Sequence, residues 1–178
     1  YLLLGSIPIT ENDKLFNRSI LINPDGDIIS IYDKIHMFDI TLKNGESYKE
    51  SDFYTPGSEL KITKVLGHSV GHTICYDLRY PKLYRALAKK GSQIIVVPSA
   101  FTHTTGKAHW HSLIKARAIE NGVFILAPNQ WGVNNEKRVT YGHTLIVDPW
   151  GETLAEADDG EMIIVCLLYT SDAADESR

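Results

Sequence analysis

Cysteine is scarce: Cys75 and Cys166 are the only two in 178 residues. Two thiols at unrelated positions give no disulfide framework and no zinc pattern, and they suit a reducing, cytoplasmic setting. Positive charge is also short. The 18 Lys and Arg fall below the 22 Asp and Glu, and the net charge of −4 argues against nucleic acid or an anionic membrane as a partner. No apolar run approaches the roughly 20 residues of a membrane span. An initiating methionine is absent as well: the chain opens on YLLLGSIPI, which reads as a strand entered in mid-protein, so a gene fragment is expected. What is present is a hydrophobic content of 43%, enough for one domain with a core.

The chain is organised around residues 71–81, GHTICYDLRYP. Val70 and Ile74 are strand-like, Cys75 falls where the strand should end, and Pro81 is pre-set for the first turn of a helix. Leu83, Ala86, Leu87 and Ala88 give that helix an apolar side, and Gly91 can cap it. A thiol on a strand-to-helix turn is held by backbone on both sides, near helix N–H groups that favour a thiolate. Against this, free cysteine is among the most buried residue types, and a lone one is as readily part of a core.

Strands are expected over 1–9 (ending near Pro8), 18–22 and 27–32, the last two joined by the turn Asn-Pro-Asp-Gly. The third runs into Asp33-Lys34-Ile35-His36. Residues 41–57 read as a long loop, 60–66 as a strand, and 93–98 (QIIVVP) as a short buried strand. A polar loop over 99–106 leads to a helix over 107–121, with Trp110, Leu113, Ile114 and Ala118 on one stripe and Asn121-Gly122 as its stop. A strand over 123–128, a polar loop over 131–141, a hairpin about Asp-Pro-Trp-Gly and a last strand over 161–165 complete the pattern. Helices alternate with strands in the middle and hairpins occupy the flanks, which predicts a one-domain α/β layered sandwich with mixed sheets over 1–165. From Cys166 the sequence turns abruptly small, polar and acidic. CLLYTSDAADE resembles a translated sequencing-library transposase adapter, so 166–178 is expected to be a non-native tail.

A cysteine nucleophile needs a base, because an unperturbed pKa of about 8.5 leaves it mostly a thiol. It also needs a donor for the oxyanion formed on attack. The chain has seven histidines, of which His36, His72, His103, His109, His111 and His143 lie on or near loops or helix starts, but no pair has zinc-type spacing and no metal site is expected. Lys34 follows a strand and can place an ammonium beside Cys75 if the strands are neighbours. Glu50, in the long loop, is the best internal candidate for a second carboxylate. Each of these alone passes for a surface residue.

Five blocks in order change that reading: YDKIHMFD, the ESDFYTPG loop, ICYDLRYP, VPSAFTHTTGKAHWHSLIKARAIENG and YGHTLIVDPWG. Together they resemble the nitrilase (carbon–nitrogen hydrolase) superfamily over nearly all of 1–165. CYDLRYP stands in place of the Cys-Trp-Glu-Asn of true nitrilases, and EKRVTYGH is similar to the Nit-type branch of deaminated-glutathione amidases and omega-amidases. The resemblance implies an αββα sandwich that pairs into a homodimer, a Glu–Lys–Cys triad, and hydrolysis of a small-molecule carboxamide to acid and ammonia without a cofactor. It assigns Cys75 as nucleophile, Lys34 as the cation facing oxyanion and amine, Glu50 as the additional glutamate, and the Tyr76 N–H as an oxyanion donor. Its general-base glutamate belongs on a strand before Tyr1, so this chain by itself is expected to turn over little amide and to expose sheet surface. Phe101, His103 and Tyr141 are the expected pocket residues, with Arg117 and Glu120 as a structural ion pair. The alternatives are an N-carbamoyl or other carbon–nitrogen hydrolase of the same superfamily, or a catalytically silent scaffold.

Overall fold

The computed structural model describes residues 1–41, 45, 47–135 and 138–169, apart from the Asn135 side chain. Residues 170–178 of the suspected tail lie outside these.

The chain opens with a hairpin. β1 (Leu2–Glu11) and β2 (Lys14–Ile22) pair antiparallel across Asn12-Asp13, both with positive φ (50° and 59°), as a two-residue hairpin turn requires. β1 runs on past Pro8, where an end was expected. It is the edge of a β1-β2-β3 sheet, and an edge strand tolerates a proline whose missing N–H faces outward. β3 (Ile28–Asp33) follows the expected turn, in which Asn23 Oδ1 accepts from the N–H groups of Asp25 and Asp27. The expected loop over 41–57 holds regular elements among its described residues: β4 (Asp39–Thr41) pairs with β5 (Ser47–Lys49), and Glu50–Asp52 forms one 3₁₀ turn.

β6 (Ile62–Val65) and β7 (His68–His72) form a hairpin that leads to the Cys75 turn and α1 (Pro81–Lys89). β8 (Ile94–Val96), α2 (His103–Asn121) and β9 (Phe124–Ala127) follow. α2 starts four residues before the expected position. Thr102 caps it by accepting from the Thr105 N–H, and Gly106, which reads as a loop residue, is there for close packing. A Cβ at Gly106 would sit 2.3 Å from Tyr141 Cβ. The expected polar loop over 131–141 is instead a hairpin of β10 (Trp131–Asn135) and β11 (Arg138–Tyr141), with Trp131 opposite Tyr141. β12 (Leu145–Val147) and β13 (Thr153–Glu156) form the expected hairpin. No strand forms over 161–165, where Ile163 and Val165 are 90% and 86% exposed among the described residues.

The main sheet has the order β13-β12-β9-β8-β7-β6 and is mixed: β7, β8 and β9 are parallel, and the outer pairs are antiparallel. One face sends Ile95, Ile125, Leu145 and Val147 against Leu83, Tyr84 and Leu87 of α1 and Trp110, Ile114 and Ala118 of α2, all buried in one cluster. The other face meets β3, where the Thr63 hydroxyl donates to Ser30 Oγ at 2.6 Å and the His72 ring lies 6.5 Å from Tyr32. Helix, sheet and sheet are thus three layers of the expected sandwich. On β3, Ser30 and Tyr32 are buried while Ile29 and Ile31 are 38% and 40% exposed, so the outer face of this sheet carries apolar side chains.

Burial pushes His72 down to about 4, helped by the charge of Lys61. The unfolded chain, with an ordinary imidazole near 6.5, takes up a proton over the window from 6.5 to about 4 that the folded chain refuses. Stability is therefore lost as pH falls through that window. The His72 contribution to this loss is about 2 kcal/mol by pH 5. Urea titrations at pH 7 and 5 should show a smaller loss in His72→Gln; equal losses would contradict it.

Candidate active site

The sequence places Cys75 at the end of a strand, and the backbone there is unusual. Cys75 has φ 47°, a left-handed conformation rare for a residue with a side chain, while its N–H donates to Pro98 O at 3.0 Å. Strain of this kind persists where the surroundings impose it and clusters at functional sites. Its thiol is free and half-buried, on the wall of a cavity of about 630 Å³ rather than sealed in the core.

Lys34 comes to the same cavity from the end of β3. It is 2% exposed, with its N–H donating to Asn17 O and its carbonyl accepting from the Gly57 N–H. Its ammonium forms a short ion pair with Glu50 Oε2. Glu50 is itself fixed: Oε2 also accepts from the Phe38 N–H at 2.7 Å, and Oε1 from Asn17 Nδ2 at 2.9 Å. Among the described residues Glu50 is the one carboxylate on the cavity wall, which also carries Lys49, Arg79 and Arg138.

Both ends of the Asp33–His36 segment are anchored. Arg18 donates to the two Asp33 oxygens at 2.6 and 2.9 Å, and to Glu11 at 2.8 Å. At the other end stands Asp77, two residues after the cysteine and fully buried. Asp77 Oδ1 faces the His36 N–H at 3.0 Å and His36 Nδ1 at 2.7 Å; Oδ2 accepts from the Tyr32 hydroxyl at 2.7 Å and the Ile74 N–H at 2.9 Å. Burial and the charge of Asp77 raise the Tyr32 phenol, so it stays a donor. One carboxylate thereby ties the lysine strand to the cysteine turn. The sequence reading gave Asp77 no role; an acidic residue in a motif of this kind, flanked by apolar strand and helix, was the only signal.

Gly57 supports the same segment by absence of a side chain. A Cβ there would lie 2.3 Å from the Asp33 carbonyl oxygen. Gly57→Ala should cost about 1–3 kcal/mol and slow alkylation of Cys75, since the backbone beside Lys34 must shift. Unchanged stability and alkylation would remove this support.

Phe101 lines the cavity, as Tyr76 does, with the Arg79 guanidinium 5.8 Å from its ring centre. His103 and Tyr141 do not. Thr140, which bridges Thr102 through the backbone, is buried, and strand alternation puts Tyr141 on the other side of β11, where its ring meets His103 at 5.9 Å and stacks on His143 at 4.4 Å. Arg117 and Glu120 do pair, at 2.8 Å.

A cluster that the histidine spacings did not suggest lies there too. His111 and His143 both contact Glu156 Oε1. Burial opposes ionisation of Glu156, but these two contacts outweigh it and hold the carboxyl below its usual range.

The chain is similar to proteins of known kind. It is 43% identical to the deaminated glutathione amidase of Yersinia enterocolitica over 172 residues, 94% of this chain and 60% of that protein. It is 38% identical to the omega-amidase NIT2 of Xenopus tropicalis over 164 residues, covering 92% and 59% of the two. The crystal structure of the C. elegans NitFhit protein superposes with a TM-score of 0.83 at 37% identity, covering 88% of this chain and 39% of that one. The chain therefore spans about 60% of the length of these curated relatives. No described helix is long and apolar enough to cross a membrane. The Carbon-nitrogen hydrolase family profile matches residues 1–173, and the chain belongs to that family.

Proposed function

We propose that this cavity hydrolyses a small carboxamide to a carboxylic acid and ammonia through a thioester on Cys75. The observation that carries the proposal is that Cys75, Lys34 and Glu50, from three separate parts of the chain, line one cavity, with Lys34 paired to Glu50. Cys75 Sγ attacks the amide carbon, and its proton passes to a carboxylate base, which the family pattern puts on a strand before Tyr1. The carbonyl oxygen becomes an oxyanion facing the Lys34 ammonium and the Tyr76 N–H. The amide nitrogen takes up the proton, the C–N bond breaks and ammonia leaves. Water then hydrolyses the thioester and frees the thiol. Glu50 acts by holding the ammonium in place, because its oxygens are already engaged by Lys34, Asn17 and Phe38.

Lys49, Arg79 and Arg138 on the wall favour an amide that carries its own carboxylate. This agrees with the amidase names of the Yersinia and Xenopus relatives. A homodimer in a reducing, cytoplasmic setting belongs to the same proposal. Ammonia release by the gene's complete product should be seen with a carboxylated short-chain amide. Arg138→Ala should raise KM for that substrate by about tenfold, with little change for a neutral amide. No ammonia from any amide would overturn the activity; an equal change for both amides would overturn the carboxylate preference.

A further inference from the structure

On the side of β11 away from the cavity, three elements converge. His111 comes from the middle of α2, His143 from the turn between β11 and β12, and Glu156 from the end of β13. Their ligand-capable atoms all lie within 4.8 Å of one another. Nε2 of His111 is 2.8 Å, and Nδ1 of His143 is 2.9 Å, from the same oxygen, Glu156 Oε1. None of the three lines the catalytic cavity.

The carboxylate is not what aims His143. Its backbone is left-handed, φ 57°, its carbonyl accepts from the buried Trp110 indole at 2.7 Å, and its ring stacks on Tyr141. The imidazole is thus set by backbone and packing, with Nδ1 toward Glu156 and Nε2 toward Asp159 Oδ1 at 3.8 Å.

We propose that His111, His143 and Glu156 form a divalent transition-metal site of the zinc type, which ties α2 to the β12–β13 hairpin. Two imidazoles and a carboxylate are a donor set that borderline cations favour, with bonds of about 2.0–2.2 Å. A tetrahedron with such bonds separates its ligand atoms by roughly 3.4 Å, so the two present contacts open by about half an ångström to admit the ion. Both imidazoles bind as neutral rings. His111 keeps its proton on Nδ1 and His143 on Nε2, and the His143 N–H then points at Asp159, the carboxylate support that metal-ligating histidines usually have. Water takes the open position, because the three side chains are between 26% and 34% exposed. The histidine spacings conceal the site: Glu156 is 45 residues from His111 and 13 from His143.

The test uses metal-free 178-residue chain without a histidine tag, in a Cys75→Ser, Cys166→Ser background so that no thiolate competes. Cobalt(II) should bind one ion per chain with visible d–d bands, zinc(II) should displace it, and zinc should raise Tm. His111→Gln keeps a donor facing Glu156 but removes a ligand; it should weaken cobalt binding by at least about tenfold, while Asp159→Asn weakens it by about tenfold. Circular dichroism checks that both variants are folded. Absence of cobalt bands in the parent chain would overturn the site and leave a hydrogen-bonded clamp. Bands of equal strength in a folded His111→Gln chain would overturn the ligand assignment.

Discussion

Asp77→Ala should destabilise the chain by about 3–5 kcal/mol and slow alkylation of Cys75. Asp77 is fully buried and meets four donors: the Tyr32 hydroxyl, the Ile74 N–H, the His36 N–H and His36 Nδ1. Removing the acceptor strands those donors away from water, at about 1–3 kcal/mol for each that finds no new partner. Partial relaxation makes the total smaller than the sum. The same change frees the segment that carries Lys34, so reactivity should fall with stability. Asp77→Asn keeps the shape but aims an NH₂ group at donors, and should lie between the two. Urea denaturation of both variants is the measurement. A loss below about 1 kcal/mol in Asp77→Ala would show that the two strands are held together by something else.

Lys34→Met should cut acylation of Cys75 by about 100-fold or more, the scale of losing one preorganised donor to an oxyanion. It should also destabilise the chain by about 3 kcal/mol, because Glu50 then keeps its charge without the ammonium and is left with neutral donors such as the Asn17 amide and the Phe38 N–H. Lys34→Arg should not restore the rate, since a planar fork does not replace a compact ammonium in a buried site. Glu50→Gln should retain part of the rate, because Lys34 keeps its charge and loses its anchor. Rates from an activated ester, read by intact mass, separate these cases. A Lys34→Met chain that acylates at the parent rate would remove the lysine from the chemistry.

The parts of the fold that sequence showed are those with strong local signals. Asn-Pro-Asp-Gly and Asp-Pro-Trp-Gly marked two turns correctly. Pro81 and the apolar side of Leu83, Ala86, Leu87 and Ala88 make α1 visible, and the structure buries Leu83 and Leu87 together with Tyr84, which that reading does not include. The start of α2 was missed because HTTG looks like a loop; its helical state depends on the Thr102 cap and on Tyr141 packed against Gly106, a contact made 35 residues away. β10 and β11 were hidden by polar composition, and they pair because Gly132 and Tyr141 can meet Thr140 and Trp131 across the hairpin.

The site followed the same rule. Cys75, Lys34 and Glu50 are candidates by residue type and place, strengthened by the order of the motifs, and all three line one cavity. The positive φ of Cys75 had no signal, because sequence marks such positions mainly through glycine or asparagine. Asp77 and Arg18 were unread because a buried charge looks like a surface one until its partners are known, and those partners lie on other strands. His103 and Tyr141 were sent to the wrong side for want of the β11 register, which alternation alone cannot supply when the strand itself is unseen.

The most direct measurement is the relative acylation of the two thiols in one molecule. Cys75 and Cys166 are both free and both half-buried, so each serves as the other's control. After brief exposure to an activated ester at pH 7, peptide mapping should find the acyl group on Cys75 in large excess over Cys166, and the excess should disappear in Lys34→Met. Equal labelling of the two cysteines, or an excess on Cys166, would contradict the assignment of Cys75 as a nucleophile prepared by the fold.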